Sequence, residues 1–218
     1  MWGAYRDRVD AARRLAEHLS EYRGQDPLIL AIPRGGVVVG FELARSLGGE
    51  LDVVTPRKIG APGNPELAVG AILHDGTRVL NEDVIAMLGV PESYLLEEGE
   101  RQRLESLRRY RLYRGDRPEP RIRGRTVIVV DDGVATGATM MLALKWAGDR
   151  GADPLICAVP VAPPETIPKL MDEADRVVCP LTPPYFMAIG QFYQEFEQLE
   201  DEEVIRLLKT AWGEEEDR

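Results

Sequence analysis

The sequence predicts an α/β fold built on a mainly parallel, doubly wound sheet. Short β-branched runs without polar alternation indicate strands that are covered on both faces, as in parallel sheets. Two of these runs lead through a glycine-rich turn into a helical pattern, which is the repeating unit of such folds. The order strand, helix, strand, hairpin, strand, helix, strand, helix, strand then predicts helices on both faces of the sheet.

The predicted elements follow this order along the chain. Residues 5–22 carry apolar residues at helical spacing opposite a charged face, and we interpret them as a packing helix only. Further helices are predicted from Val37 and from about Ala138, with an amphipathic last helix at 201–209 and a frayed acidic end through Glu216. Strands are predicted at 28–32, 51–55, 126–130, 155–161 and 176–179.

The length of 218 residues suits a single domain, residues 1–218. An insert at about 81–123 departs from the alternation of strands and helices, and its part at 91–114 predicts a helix rich in Arg and Glu. Interleaved acids favour a solvated or subunit-facing helix with intrahelical ion pairs, so a homo-oligomer stays open. The net charge of −10 disfavours binding to nucleic acid.

Composition also bears on the cellular setting. Cys157 and Cys179 lie inside apolar runs without CxxC spacing, which predicts buried thiols in a reducing compartment. No apolar stretch approaches the length of a membrane span, and the first ten residues lack a signal-peptide core. We therefore expect a cytoplasmic protein without membrane contact. His18 is expected to face solvent from the first helix, and His74 is expected to be structural beside an Asp-Gly hairpin turn.

The most informative segment is VIVVDDGVATGATM, residues 127–140. Its strand delivers Asp131 and Asp132 to the carboxyl edge of the sheet, where open α/β folds bind ligands. Small residues then leave the backbone uncovered before a helix, so several N–H groups can point at one phosphate. This candidate phosphate loop comprises Gly133, Val134, Ala135, Thr136, Gly137, Ala138 and Thr139. A phosphorylated sugar accompanied by Mg²⁺ would use both the acids and the loop.

Two other classes of acidic or glycine-rich loop compete with this interpretation. A Walker-type nucleotide loop is excluded because no Gly-Lys-Ser/Thr sequence follows the glycines. A receiver-like acidic pocket remains a competitor. Receiver domains, however, place their acidic pair near the first strand, and this pair falls past the middle of the chain.

Two basic elements are predicted at the same edge of the sheet. The first element comprises Arg34, Gly35 and Gly36. The guanidinium of the arginine and the uncovered backbone N–H groups of the glycines at a helix N-terminus suit a pyrophosphate. Arg57 and Lys58 would sit at the end of the strand at 51–55. Residues 60–65 cannot form a helix and are a poor strand, which predicts a mobile lid over about 59–67. The alternatives are a plain glycine turn with a surface arginine and an ordinary surface loop.

Residues 127–140 resemble the 5-phosphoribosyl-1-pyrophosphate (PRPP) signature of type I phosphoribosyltransferases in their hydrophobic strand, DD pair and ATGAT ending. The resemblance implies a flexible loop, a small hood and a Mg²⁺-dependent pentosyltransferase. Such an enzyme moves ribose 5-phosphate from PRPP to a nucleobase-like nitrogenous base, releases pyrophosphate and serves nucleotide salvage. The family's pyrophosphate loop often follows a cis peptide bond, which would fall here between Pro33 and Arg34.

The same resemblance implies roles for individual residues. Asp131, Asp132, Arg57 and Lys58 would be catalytic, and the two acids would also hold Mg²⁺ through ribose hydroxyls or water. The family's hood corresponds to about 180–192, where Tyr185 and Phe186 could form an aromatic wall against the base. Core packing explains these two aromatic residues equally well.

The sequence does not name the acceptor base. Enzymes for 6-oxopurines carry an acid where this chain has Ala135, and their hood strand supplies a lysine that residues 176–184 lack. Both departures count against hypoxanthine and guanine. A non-catalytic PRPP-binding regulatory protein and a generic sugar-phosphate-binding domain are the alternatives, and the presence of Arg57, Lys58 and the lid segment favours the enzyme.

Overall fold

A computed structural model describes residues 3–214 of the chain. The strands are β1 (Leu28–Ala31), β2 (Glu50–Val53), β3 (Arg57–Ala61), β4 (Asn64–Ile72), β5 (Arg78–Leu80), β6 (Val127–Val130), β7 (Leu155–Ala158) and β8 (Arg176–Val178). The α-helices are α1 (Arg8–Glu17), α2 (Gly35–Leu47), α3 (Glu82–Leu88), α4 (Glu92–Arg114), α5 (Ala138–Asp149), α6 (Ile167–Met171) and α7 (Asp201–Ala211). Short 3-10 turns lie at Ser20–Tyr22, Pro164–Thr166 and Ile189–Phe192.

The main sheet has five parallel strands in the order β2-β1-β6-β7-β8, which confirms the predicted fold class. Successive strand residues point to opposite faces. Ile29, for example, packs in a core cluster with residues of α1, α2 and α7, whereas Leu28 packs in a second cluster with residues of α5 and α6. Both faces are therefore covered, and the strands need no polar alternation.

Strand adjacency positions the two candidate anion loops. β1 and β6 are hydrogen-bonded neighbours whose last residues, Ala31 and Val130, are partners in the register. The turn after β1 and the acidic loop after β6 consequently leave the sheet side by side at its carboxyl edge. This is the edge at which doubly wound folds bind ligands.

Several element boundaries differ from the prediction. The first helix is shorter than predicted, because its regular part ends at Glu17 and a 3-10 turn follows at Ser20–Tyr22. α2 begins at Gly35 instead of Val37, so both glycines of the turn are already helical. The strand predicted at 155–161 ends at Ala158, and Val161 makes only an isolated bridge to Leu181.

The prediction that residues 60–65 form a poor strand was wrong. β3 and β4 form an antiparallel hairpin across this segment, and β5 extends it to a three-stranded sheet. Pro62 and Gly63 form the turn, with Gly63 at φ 72°, and a Pro-Gly pair matches the dihedral angles of a tight turn. Residues 62–67 are exposed at the tip of this hairpin.

The insert was predicted to be a solvated or subunit-facing helix, but one of its faces packs inside the chain itself. α4 carries the expected intrahelical pairs, such as Arg101 with Glu98 and Arg108 with Glu105. Its opposite face is buried, however, and contacts the strands of both sheets. The buried positions of this helix are Leu95, Gly99, Gln102, Ser106, Tyr113 and Arg114.

A buried ion pair fixes the end of α4 against the main sheet. Arg114 donates to both carboxylate oxygens of Asp52 at 2.7 and 2.9 Å, and the two side chains are 2% exposed. The remaining guanidinium donors reach the Tyr110 hydroxyl and the carbonyls of Arg117 and Pro118. All charged atoms therefore have partners, as a buried pair requires.

The last helix, the two cysteines and the membrane prediction can be compared directly with the structure. α7 is the predicted last helix, whereas Glu215 and Glu216 of the expected frayed end lie outside the described residues. Cys157 is buried and Cys179 is partly buried, and both thiols are free. Within residues 3–214, no helix is both long and apolar enough to cross a membrane. The organisation as a single domain stays a prediction.

We predict that Asp52→Asn lowers the free energy of unfolding by about 3 kcal/mol, because it leaves the buried Arg114 charge without its counterion. Urea denaturation monitored by circular dichroism measures this change. The matched control is Arg101→Met, which removes an exposed i,i+3 pair and should change the same quantity by less than about 1 kcal/mol. Equal effects of the two substitutions would contradict the anchoring role of the buried pair.

Candidate active site

The turn after β1 lies directly against the acidic pair after β6. A methyl group placed on Gly35 would lie 1.8 Å from Oδ2 of Asp132, and one on Gly36 would lie 2.9 Å from Cα of Asp131. Neither distance permits a side chain, so only glycine allows this approach. The structure thus brings together Gly35, Gly36, Asp131 and Asp132, as the sequence predicted for one edge of the sheet.

Burial and mutual repulsion govern the charge of the acidic pair. Asp132 is buried and Asp131 partly buried. Burial raises the pKa of Asp131 well above its ordinary value, and the neighbouring Asp132 carboxylate raises it further. Burial also raises the pKa of Asp132, although Arg8 opposes this shift. A cationic ligand at the pair would favour the ionised forms of both acids.

The sequence analysis missed two residues that hold Asp132. Arg8 Nε donates to Asp132 Oδ2 at 2.7 Å, and the Tyr193 hydroxyl donates to the Asp132 carbonyl at 2.5 Å. The prediction that the first helix serves packing only was therefore wrong. Arg8 stands one turn before the buried Ala11 and Ala12 on the same helix face, a signal that could have pointed to its inward side chain.

The candidate phosphate loop has the open backbone that its composition predicted. Gly137 adopts φ 87° as the N-cap of α5, and Gly133 lies so close to Ile189 that a methyl group there would be 2.7 Å away. Thr166 secures the loop by donating from Oγ1 to the Ala135 carbonyl at 2.8 Å. Among residues 3–214, no backbone N–H from 135 to 139 donates to a protein acceptor. These amides can point at an anion.

Arg34 lies between the glycine turn and the last helix. The peptide bond between Pro33 and Arg34 is cis, as the resemblance implied. Nη1 of Arg34 lies 3.7 Å from Asp201 Oδ1 and 3.8 Å from Glu200 Oε2. Asp201 also accepts a 2.6 Å hydrogen bond from the Tyr113 hydroxyl of α4. The start of α7 therefore lies beside this basic residue, and the insert is linked to Arg34 through Asp201.

Arg57 and Lys58 occupy the start of β3, not the end of β2 as predicted. Arg57 Nε donates to Gln102 Oε1 at 3.1 Å, and burial lowers the pKa of this arginine. Lys58 Nζ donates to the carboxylate of Glu66 across the hairpin at 3.1 Å. Within residues 3–214, neither side chain bonds to Asp131 or Asp132. Their catalytic roles stay predictions.

The two hood aromatics have different surroundings. Tyr185 is 86% exposed, whereas Phe186 is partly buried with its ring centroid 5.2 Å from that of Phe192. Phe186 thus contributes to a small core cluster that includes Tyr5 and Val161. Core packing accounts for Phe186, while Tyr185 has no such role. A base-binding role for either residue stays a prediction.

The close approach at Gly35 yields a stability prediction. We expect Gly35→Ala to lower the free energy of unfolding by about 1–3 kcal/mol or more, because the new methyl group overlaps Asp132. The matched control is Gly148→Ala, whose methyl group would meet only Leu155 at an ordinary 3.6 Å. Urea titrations of both variants measure the difference. Equal stability of the two variants would contradict the contact between the loops.

Comparisons with known proteins identify the family of the chain. A family model described as phosphoribosyl transferase domain matches residues 1–194. Proteins of two Mycobacterium tuberculosis strains, H37Rv and CDC 1551, are provisionally named phosphoribosyl transferases, and each is 43% identical over 205 residues. These matches cover 94% of this chain but 46% of the relatives, so the chain spans about half of their length.

A solved structure extends the comparison to the fold. The crystal structure of TT1426 from Thermus thermophilus is similar with a TM-score of 0.80 and 44% sequence identity. The match covers 95% of this chain and 98% of that one. The family that residues 127–140 predicted is thereby confirmed, and the chain belongs to the phosphoribosyltransferase family.

Proposed function

We propose that the chain transfers ribose 5-phosphate from PRPP to a nitrogenous base and releases pyrophosphate. The observation that carries this proposal is the contact of the glycine turn at Gly35 and Gly36 with the acid pair Asp131 and Asp132. One ligand that bears a pyrophosphate, a ribose and a phosphate can then engage both loops at once. Family membership supports the same reaction class.

The 5-phosphate is the anchor of the substrate in this proposal. The uncovered amides at 135–139 and the hydroxyls of Thr136 and Thr139 take it up at the positive end of α5. Binding energy from this remote group holds ribose C1 in place with little freedom. Hydrogen bonds from Thr166 to the Ala135 carbonyl and from the Val134 N–H to the Val161 carbonyl support the loop for this task.

The acid pair acts on the ribose. Displacement of pyrophosphate passes through a state with positive character at the sugar, which nearby carboxylates stabilise. Asp131 is the more accessible acid, and among residues 3–214 its Oδ1 accepts one hydrogen bond, from the backbone N–H of Asp132 at 2.8 Å. Asp131 therefore accepts hydrogen bonds from the ribose hydroxyls, while Asp132 supports it from the buried side.

Mg²⁺ fits this donor set as an ion that arrives with the substrate. Within residues 3–214, no cluster of three or more His, Cys, Asp or Glu side chains could hold a metal. Magnesium ordinarily takes one or two carboxylates together with phosphate oxygens and water, which Asp131, Asp132 and PRPP would supply. The bound ion would neutralise charge that builds on the departing pyrophosphate.

Basic side chains complete the pyrophosphate side of the site. Arg34 and the amides of Gly35 and Gly36 receive the pyrophosphate at the start of α2. The hairpin tip at 62–67 closes over the reaction as the lid, and Arg57 and Lys58 at its base contribute positive charge. Closure excludes water, so that the sugar reacts with its nitrogen nucleophile instead of being hydrolysed.

The acceptor side is the least constrained part of the proposal. Tyr185 of the hood segment 180–192 offers an exposed ring for stacking against a flat base. Ala135 and the absence of a lysine from 176–184 argue against a 6-oxopurine as that base. We propose in addition that the reaction serves nucleotide salvage in the cytoplasm.

We predict that Asp131→Asn lowers turnover by about 100-fold or more, because it removes charge that stabilises the ribose in the transition state. The assay incubates the protein with PRPP, Mg²⁺ and a panel of nucleobases and follows pyrophosphate release. Asp149→Asn, at an exposed carboxylate near the end of α5, is the control and should keep full activity.

Two outcomes would count against the catalytic proposal. Undiminished turnover of a folded Asp131→Asn variant would remove the acid from the mechanism. Binding of PRPP by the wild-type protein without pyrophosphate release from any base would instead support the non-catalytic regulatory alternative.

We expect Lys58→Met to lower kcat/KM by about tenfold or more, since a charged contact to the departing pyrophosphate is lost. Lys145→Met removes an exposed lysine of α5 that pairs with Asp149 and should leave kcat/KM unchanged. Steady-state kinetics with varied PRPP measure both values. Equal kinetics of the two variants would exclude Lys58 from the lid's function.

A further inference from the structure

Arg8 makes a contact within the acid pair that the reaction scheme above does not use. Its Nε lies 2.7 Å from Oδ2 of Asp132, and both side chains are 11% exposed. We infer that Arg8 is a positioning residue for PRPP, which acts by fixing Asp132 and compensating its charge. This inference rests on the proposed function.

The guanidinium of Arg8 joins three distant parts of the chain. Nη1 donates to the Glu197 carbonyl at 2.9 Å, and the guanidinium carbon lies 3.9 Å above the ring of Phe196. Arg8 thereby ties α1, the loop after β6 and the segment before α7 to one point. The planar fork is needed for this, because an ammonium cannot make the same pair of directed bonds while stacking on a ring.

Asp132 is also held from its backbone side. The Tyr193 hydroxyl donates to the Asp132 carbonyl, and this tyrosine lies three residues before Phe196. The segment 193–197 therefore holds Asp132 at two points, directly at its backbone carbonyl and through Arg8 at its carboxylate. Asp131 has no comparable cationic partner within residues 3–214, so the two acids are unequal.

This inequality has an electrostatic consequence for the substrate. PRPP carries negative charge on both its phosphate and its pyrophosphate, and a second carboxylate without a cationic partner in the protein would add to the repulsion that Mg²⁺ has to offset. Arg8 cancels the charge of Asp132 and leaves Asp131 as the net acceptor for ribose hydroxyls. Removal of the arginine should therefore weaken PRPP binding through Asp132, beyond any loss of stability.

A purely structural role for the pair makes a different prediction. A buried ion pair that only supports the fold would, when broken, lower the free energy of unfolding and leave PRPP affinity of the folded protein unchanged. A double-mutant cycle in PRPP binding separates the two roles, because it measures whether Arg8 acts through Asp132.

The experiment titrates PRPP with Mg²⁺ calorimetrically into the wild-type protein, Arg8→Met, Asp132→Asn and the double variant. We expect Arg8→Met to raise the dissociation constant about tenfold or more, the factor that a hydrogen bond to a charged group commonly contributes. In the Asp132→Asn background the same change should have little effect. Arg8→Lys should recover part of the affinity, because it restores the charge without the fork.

The control is Arg14→Met, which removes an exposed arginine of the same helix that pairs with Asp10 and should bind PRPP like the wild type. Wild-type affinity of Arg8→Met, or an equal penalty in the Asp132→Asn background, would overturn the inference. If Arg8→Met does not fold, Arg8→Lys replaces it in the same cycle. A wild-type protein that binds no PRPP would instead overturn the proposed function itself.

Discussion

The contact between the two loops at the carboxyl edge of the sheet is the constraint on which the rest of the site depends. β1 and β6 are neighbours, so the glycine turn and the acidic loop leave the sheet together. They approach so closely that a single methyl group on Gly35 would overlap Asp132. Anion-binding amides and carboxylates thus share one small volume, an arrangement that suits a ligand with both phosphate groups and sugar hydroxyls.

The insert contributes by packing on the sheets around this edge. The buried pair of Arg114 with Asp52 fixes its end, and Ser106 bonds to Thr55 where the chain leaves β2 for the hairpin. α4 therefore holds the chain just before β3 and accepts a hydrogen bond from the Arg57 side chain at Gln102. Tyr113 of the same helix donates to Asp201, which lies beside Arg34, so the insert contacts Arg57 directly and is linked to Arg34 through Asp201.

Short sequence patterns predicted those elements whose structure depends on neighbouring residues in the sequence. The buried strands, the acidic pair and the glycine loops follow from short runs, because each run has a particular use at the end of a strand. The hairpin at 60–65 was predicted wrongly, since strand pairing there depends on a partner that the segment itself does not reveal. The buried face of α4 escaped prediction for a similar reason, because its Gln, Ser and Arg find partners far away in sequence.

The contacts that complete the site join the two ends of the described chain. Arg8 and Asp132 are separated by 124 residues, and Arg8 and Glu197 by 189. No pattern within a helix specifies partners that are so distant in sequence. An arginine one turn before a buried face does indicate that its guanidinium needs an acidic or polar partner in the protein interior. Because α1 and the segment 193–197 both hold Asp132, the geometry of this acid depends on how both ends of the described chain pack. Under the role inferred for Arg8, the affinity for PRPP would be linked to the packing of both ends of the described chain, and α1 would belong to the binding site as well as covering the sheet.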